Sequence, residues 1–356
     1  MPSGIWNAPC NHARSFHYMA NFALCLFLLG GLSRTAGQET GNPDSLYIQT
    51  FSDRLVIRAN MSTQTDRYFY ENSTSGQKLD IEPNTSLRLF LSFDYKFIGA
   101  SFGFAPGFIG DNNDEDLKGK SNFSDYRFRF FLGSWVQGVQ YKNVKGFYVE
   151  NTADYLPGWE KGSDPYLQIP SLKSITYGMS TSYVFNPDFS LKNIFSQSEW
   201  QKRSAGSFVP TLYYDYTKFS FTEDLVDDKE HQFGIRLAAA YYYTFVYRQH
   251  WHVSANLSPS LGIRHAQERK TEAGVFSKDG LTYTTRILEG GIQLGYNTNR
   301  VFFGANMIFN ANWYNESRDS TTENDQFYGL VYVGYRFDPP GLIRKPIDKL
   351  EGKSRR

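Results

Sequence analysis

A chain of 356 residues could hold two soluble domains, but 17% aromatic residues, with 25 Tyr and 30 Phe, beside a mean hydropathy of −0.48 describe a polar protein unusually rich in rings. Short strands with one apolar and one polar face suit that pairing better than a thick helical core. A net charge of +1 excludes the broad basic footprint of nucleic-acid binding, so no nucleic-acid partner is expected.

In chain order, His12, Arg14 and His17 precede the apolar run from Phe22 to Leu32, and small residues follow at Thr35, Ala36 and Gly37. This is the pattern of a secretory signal peptide over 1–37, cut near Gly37, and it implies Sec export. The alternative, a helical anchor, fails on length, because a bilayer core of about 30 Å needs a longer run. A start at Met19 would lose the basic region, and Leu24 before Cys25 does not fit a lipid-attachment site. Cys10 and Cys25 leave with the signal, so the mature chain has no thiol. Residues 38–52 read as a linker. Beyond residue 40 no long apolar run occurs, so a mature chain that crosses a membrane must do so as a closed barrel with every backbone group paired.

Period-two alternation fills residues 53–338. From Leu87 to Phe97, Leu87, Leu89, Leu91, Phe93, Tyr95 and Phe97 share one face, and Arg88, Phe90, Ser92, Asp94 and Lys96 the other. The same pattern is clear at 233–247, 253–263 and 301–313, and weaker at 54–63, 100–108, 123–141, 171–185, 189–199, 205–220, 281–297 and 326–337. Tight joins at 96–99, 186–188, 248–251 and 297–300 alternate with long polar joins at 64–83, 109–122, 150–170, 221–231, 267–280 and 315–325. Together these predict an all-β fold, an antiparallel transmembrane β-barrel of about 12 strands with short periplasmic turns and longer extracellular loops. Strand parity breaks between 189 and 220, which allows 14. A soluble β-sandwich is the competing fold, but the strands exceed the usual length of about 5–6 residues. Trp135, Tyr247, Trp251, Trp313 and Tyr335 are candidates for interfacial girdles. The last strand ends in Gly334-Tyr-Arg-Phe337, an aromatic terminus of the kind barrel-assembly machinery reads, and 339–356 reads as a disordered periplasmic tail. The expected partners are that machinery, the lipid bilayer and lipopolysaccharide, in a bacterial outer membrane.

Candidate lumen-lining residues are Arg88, Asp94, Arg127, Arg129, Arg236, Arg264, Arg286 and Glu289, with Asp125 and Asp215 as further partner positions. Two readings stay open: an interior ladder of ion pairs that seals a narrow barrel, or an arginine excess that favours anions in an open one. No metal site or cofactor is expected: His250 and His252 share a strand face but lack a third ligand. His231 and His265 come with no nucleophile for hydrolase chemistry. The polar stretch Gln201-Lys-Arg-Ser-Ala-Gly-Ser207 reads either as a fold that constricts the lumen or as a turn around Gly206. A passive small-solute pore is the leading function, followed by a sealed structural or surface-binding barrel and then an outer-membrane hydrolase.

Asp53-Arg-Leu-Val-Ile-Arg58, Glu82-Pro-Asn-Thr85, Gln201–Ser207, Tyr243-Thr-Phe-Val-Tyr247 and Gly334–Phe337 follow one another in an order that resembles the Bacteroidota outer-membrane barrel family designated domain of unknown function 4421. The likeness runs from about 53 to 337. It implies fold and location and carries no activity over.

Overall fold

A computed structural model describes residues 46–72, 78–109, 112–223, 226–272, 274–315, 320–323 and 326–354. The segment 1–37, expected to be a signal peptide, lies outside them. The strands in chain order are β1 (Ile48–Thr50), β2 (Leu55–Ser62), β3 (Tyr68–Asn72), β4 (Lys78–Glu82), β5 (Arg88–Tyr95), β6 (Ile98–Phe104), β7 (Asn122–Leu132), β8 (Trp135–Val149) and β9 (Gln168–Tyr183). They continue with β10 (Glu199–Gln201), β11 (Ala205–Glu223), β12 (Val226–Tyr247), β13 (Trp251–Glu272), β14 (Val275–Asn297), β15 (Val301–Asn315), β16 (Ser320–Glu323) and β17 (Gln326–Phe337).

Twelve of these, β2, β5 to β9, β11 to β15 and β17, form one antiparallel ring that closes where β17 pairs with β2, Phe337 opposite Leu55. Closure is what satisfies the backbone at both edges, which an open sheet in hydrocarbon could not do. The outer face confirms the solvent: Leu237 is 60% and Leu261 66% exposed, as are the neighbouring Phe233, Ile235 and Ile263 to similar degrees, a continuous apolar belt suited to lipid and not to water.

Rings mark both rims of that belt. Near the short turns, Trp251, Tyr296 and Phe303 contact one another, as do Trp135, Tyr183 and Phe185. Toward the long loops, Tyr126, Tyr141, Tyr177, Tyr216 and Phe233 form a single cross-strand row with centroids 6.0, 5.2, 6.2 and 4.8 Å apart. Each member stands directly opposite the next in register, so five successive strands present a ring at one height.

The total of twelve conceals two offsetting departures from the sequence reading. The 123–141 segment is two strands, β7 and β8, split at Gly133, whose φ of +64° a turn residue with no Cβ adopts freely. The 189–199 segment is not a barrel strand at all, and Asn186–Asp188 is not a hairpin join. Residues 184–204 run instead into the lumen through a helical turn, Lys192–Phe195, and the short strand β10. Of the expected linker, 38–52, the described residues 46–52 carry structure: β1 pairs with β10, and Phe51 is buried.

Two of the expected long loops are also strand. β11–β12 and β13–β14 stay paired out to Glu223 opposite Val226 and Glu272 opposite Val275. Residues such as Asp228 opposite Lys270 and Arg269 opposite Lys278 are polar on both faces, so alternation vanishes while the ladder continues. Where both faces meet water, amphipathicity no longer reports a strand. The tail, expected to be disordered, is helical over Gly341–Ser354. Pro340, with its fixed φ, starts it by accepting from the Ile343 and Arg344 amides, and Leu342, 90% exposed, packs on nothing among the described residues.

Candidate functional site

The lumen is built from the inward half of each alternating strand, and three zones follow one another along it. At the turn end sits a plug. Phe189, Leu191, Ile194 and Phe195 pack on the inward side chains Phe131, Val136, Val209 and Tyr242. Gln201, 1% exposed, ties the plug together: its side-chain oxygen accepts from the Ser190 amide at 2.8 Å and its NH₂ donates to the Asp188 carbonyl at 2.7 Å. Ser190 donates to Glu199 at 2.6 Å, and Lys192 pairs with Glu199 at 3.1 Å.

Arg336, fully buried on the final strand, latches the plug to the wall. Its guanidinium donates to the Gln197 carbonyl at 2.7 and 3.1 Å, to Asn297 Oδ1 at 2.8 Å and to the Thr298 carbonyl at 2.5 Å, with Phe51 4.0 Å from its carbon on one side and Phe302 at 4.7 Å. Asn297 Nδ2 in turn donates to Gln197 Oε1 at 3.0 Å. A buried cation with planar, bidentate donors and two ring faces is held by geometry that lysine could not reproduce.

Above the plug two linked cavities of about 370 and 440 Å³ occupy the lumen. The lower one is walled by Arg58, Asp94, Arg129 and a set of amides, with Phe195 of the plug as part of its lining. Around the upper one run ion pairs: Arg236 with Glu289 at 3.2 Å, Arg264 with Asp215 at 3.1 Å and Arg127 with Asp125 at 2.6 Å. Near the outer mouth Asp66 accepts from Arg88 at 2.9 Å and Lys142 at 2.5 Å. Tyr68, two residues on, meets Phe147 of β8 and Phe219 of β11, folding the 63–70 segment over that side of the mouth. Burial alone would raise the Asp66 carboxyl, but Lys142 and Arg88 outweigh it and hold it below the usual carboxylate range.

Of the eight lumen candidates, Arg88, Asp94, Arg127, Arg129, Arg236, Arg264 and Glu289 line these cavities. Arg286 does not: it is exposed and stands opposite Leu261 and Trp313, both outward. The weak alternation over 281–297 left its face ambiguous, and Glu289 and Gln293 set the parity that turns Arg286 out. Sequence reasoning missed Arg58, Asp66, Lys142 and Arg336. Arg336 was legible as an inward position, between outward Tyr335 and Phe337, but the aromatic terminus drew the reading toward assembly. Gly206 has no positive φ; it lies in β11 opposite Tyr243, and the constriction is made by the residues before it.

The histidines divide. His252 points inward, 2% exposed, and sits where Gly295 across the ladder leaves room: a Cβ there would come within 2.3 Å of the imidazole and 2.8 Å of the Tyr332 hydroxyl. Gly295→Val should therefore lower the barrel's unfolding free energy by about 1–3 kcal/mol through overpacking, measured as an earlier loss of the folded gel band on heating in detergent. His250 contacts the Asn297 carbonyl at 2.7 Å through Nδ1 and stacks on Tyr296. His231 and His265 face outward, bonded to Tyr216 at 2.6 Å and Thr282 at 2.8 Å. Among the described residues no three His, Cys, Asp or Glu converge as metal ligands.

A family match decides the kinship of the chain. Residues 42–337 fit the family described as Domain of unknown function (DUF4421). The chain belongs to this family. A comparison with curated proteins gave no match. Among solved structures, the family member resembles an outer membrane channel, COG4313, from Pseudomonas putida F1 at 10% identity and a TM-score of 0.38, over 86% of this chain and all of that one. It also resembles the outer membrane protease OmpT from Escherichia coli at 8% identity and TM-score 0.37, covering 81% and 98%. The translocator domain of the autotransporter NalP from Neisseria meningitidis matches at 8% identity and TM-score 0.36, covering 94% and 100%. At such identities and scores no activity carries over.

Proposed function

We propose that this DUF4421 member is a small-solute channel of the bacterial outer membrane held shut at its periplasmic end by its own 184–204 segment. The observation that carries this reading is the plug itself, seated inside the ring and latched by Arg336, beneath a lumen that keeps two linked polar cavities instead of filling with side chains. A barrel selected only as a structural element gains from a packed interior; a lumen left hollow and polar above a discrete stopper suits conduction under control. The signal peptide, Sec export and assembly-machinery recognition of the Phe337 terminus belong to the same proposal. So does a lipopolysaccharide contact at outward Arg286, beside Trp313 on the belt.

Replacing 187–202 by a short Gly/Ser linker tests it. In planar bilayers the intact chain should give few or no conductance steps and the variant steady ones. If the intact chain conducts as freely as the variant, the segment is no stopper. Two silent but folded proteins would place the seal in the ion-pair zone and favour a structural or surface-binding barrel.

A further inference from the structure

The lower cavity has a chemical bias that the ion-pair zone lacks. Four polar groups lining it have a buried side-chain atom with no hydrogen-bond partner among the described residues: Asp94 Oδ2, Gln293 Oε1, Asn306 Oδ1 and Arg58 Nε. Asn310 Oδ1 adds a fifth. Asp94 is 7% and Gln293 4% exposed, so these atoms are well removed from bulk solvent. A buried polar group without a partner is unfavourable, and the gathering of several on one cavity wall calls for an occupant that hydrogen-bonds to them.

The unpartnered atoms are mostly acceptors, and amides can present oxygen or NH₂ by rotation. A partner must therefore donate several hydrogen bonds and accept others. An ammonium compound donates, but Arg58, Arg127 and Arg129 all line this cavity, against Asp94 and Glu289, and would repel it. An anion such as phosphate accepts far more than it donates, and its charge would lie against Asp94 and the orphan amide oxygens. A neutral hydroxyl does both at every position. Tyr213, Tyr242 and Phe195 add ring faces to the same cavity, against which the C–H face of a compact polyol can rest.

We infer that the cavity above the plug is a binding site for a small neutral polyhydroxylated solute of monosaccharide size, with Asp94, Gln293 and Asn306 accepting from its hydroxyls and Arg58 donating to them. This rests on the channel reading for its biological use but not for its chemistry.

The test is titration calorimetry of the full chain in detergent micelles with glucose, inositol, inorganic phosphate and putrescine. Saturable binding of glucose or inositol, with phosphate and putrescine at least tenfold weaker, is the expected result. Asp94→Leu should weaken it at least tenfold, and Gln293→Leu serves if Asp94→Leu fails to show the heat-modifiable folded band. Tighter binding of phosphate or putrescine would overturn the neutral-solute assignment, and no saturable binding of any of the four would overturn the site. Conductance of the plug-replaced variant is scored separately, so a channel without this site and a site without a channel give different results.

Discussion

Arg336→Met should convert a silent barrel into a conducting one. The substitution keeps an unbranched chain between Phe51 and Phe302 but removes every donor to Gln197, Asn297 and the Thr298 carbonyl. Leaving buried neutral acceptors without their donor costs about 1–3 kcal/mol for each group, and here part of that loss falls on the Gln197 carbonyl, the contact between plug and wall. The β17 ladder with β2 and β15 is untouched, so the folded band on an unboiled gel should persist while single-channel steps appear. Arg336→Lys should rescue only part of the seal, because an ammonium cannot span the Gln197 carbonyl and Asn297 together. Unchanged silence in a folded Arg336→Met protein would show that the packed side of the plug, through Phe189 and Leu191, seals without the latch.

Asp66→Leu is the second large effect, at the opposite mouth. It leaves Arg88, 2% exposed, and Lys142 facing each other without the carboxylate that both bind. Breaking such a pair costs about 3–5 kcal/mol, and the 63–70 segment with Tyr68 should lift off Phe147 and Phe219. Limited proteolysis would read this as new cleavage between 63 and 87 in an otherwise intact barrel; resistance equal to the wild type would mean the aromatic contacts hold the segment alone. The wild-type protein has a related pH dependence. Because the folded Asp66 carboxyl lies below its unfolded value, its stabilisation is fully present above the unfolded pKa of about 4 and is lost only as pH falls from there through the depressed folded value. The segment should therefore stay docked at pH 5 and loosen in stronger acid.

Much of the barrel was legible because period-two alternation is the direct imprint of a wall with lipid on one side and a polar lumen on the other. Leu87–Phe97 and Phe233–Tyr247 show both faces without ambiguity. Legibility fails where that contrast fails. Beyond the belt, β12 and β13 are polar on both faces and read as loop. Within the lumen, Phe189, Leu191 and Phe195 are apolar because they pack on inward rings, and they mimic the spacing of a strand. The lumen charges are readable by parity on strong strands and lost on weak ones: Arg236, on a strong one, lines the upper cavity, whereas Arg286, on a weak one, faces out. Asp66 could not be found from sequence, since nothing local in 64–83 signals that a loop carboxylate returns to meet Arg88 and Lys142.

The latch sits on the strand that completes the ring. Until β17 pairs with β2 the sheet has two open edges, and until Arg336 is in place the Gln197 carbonyl of the plug has no guanidinium joining it to Asn297 and Thr298 of the wall. Both conditions are met by the arrival of the same dozen residues, Gln326–Phe337. On the stopper reading proposed above, closure of the wall and closure of the floor are thus one event in assembly: the chain would pass from an unfinished sheet to a stoppered vessel without an interval as an open hole.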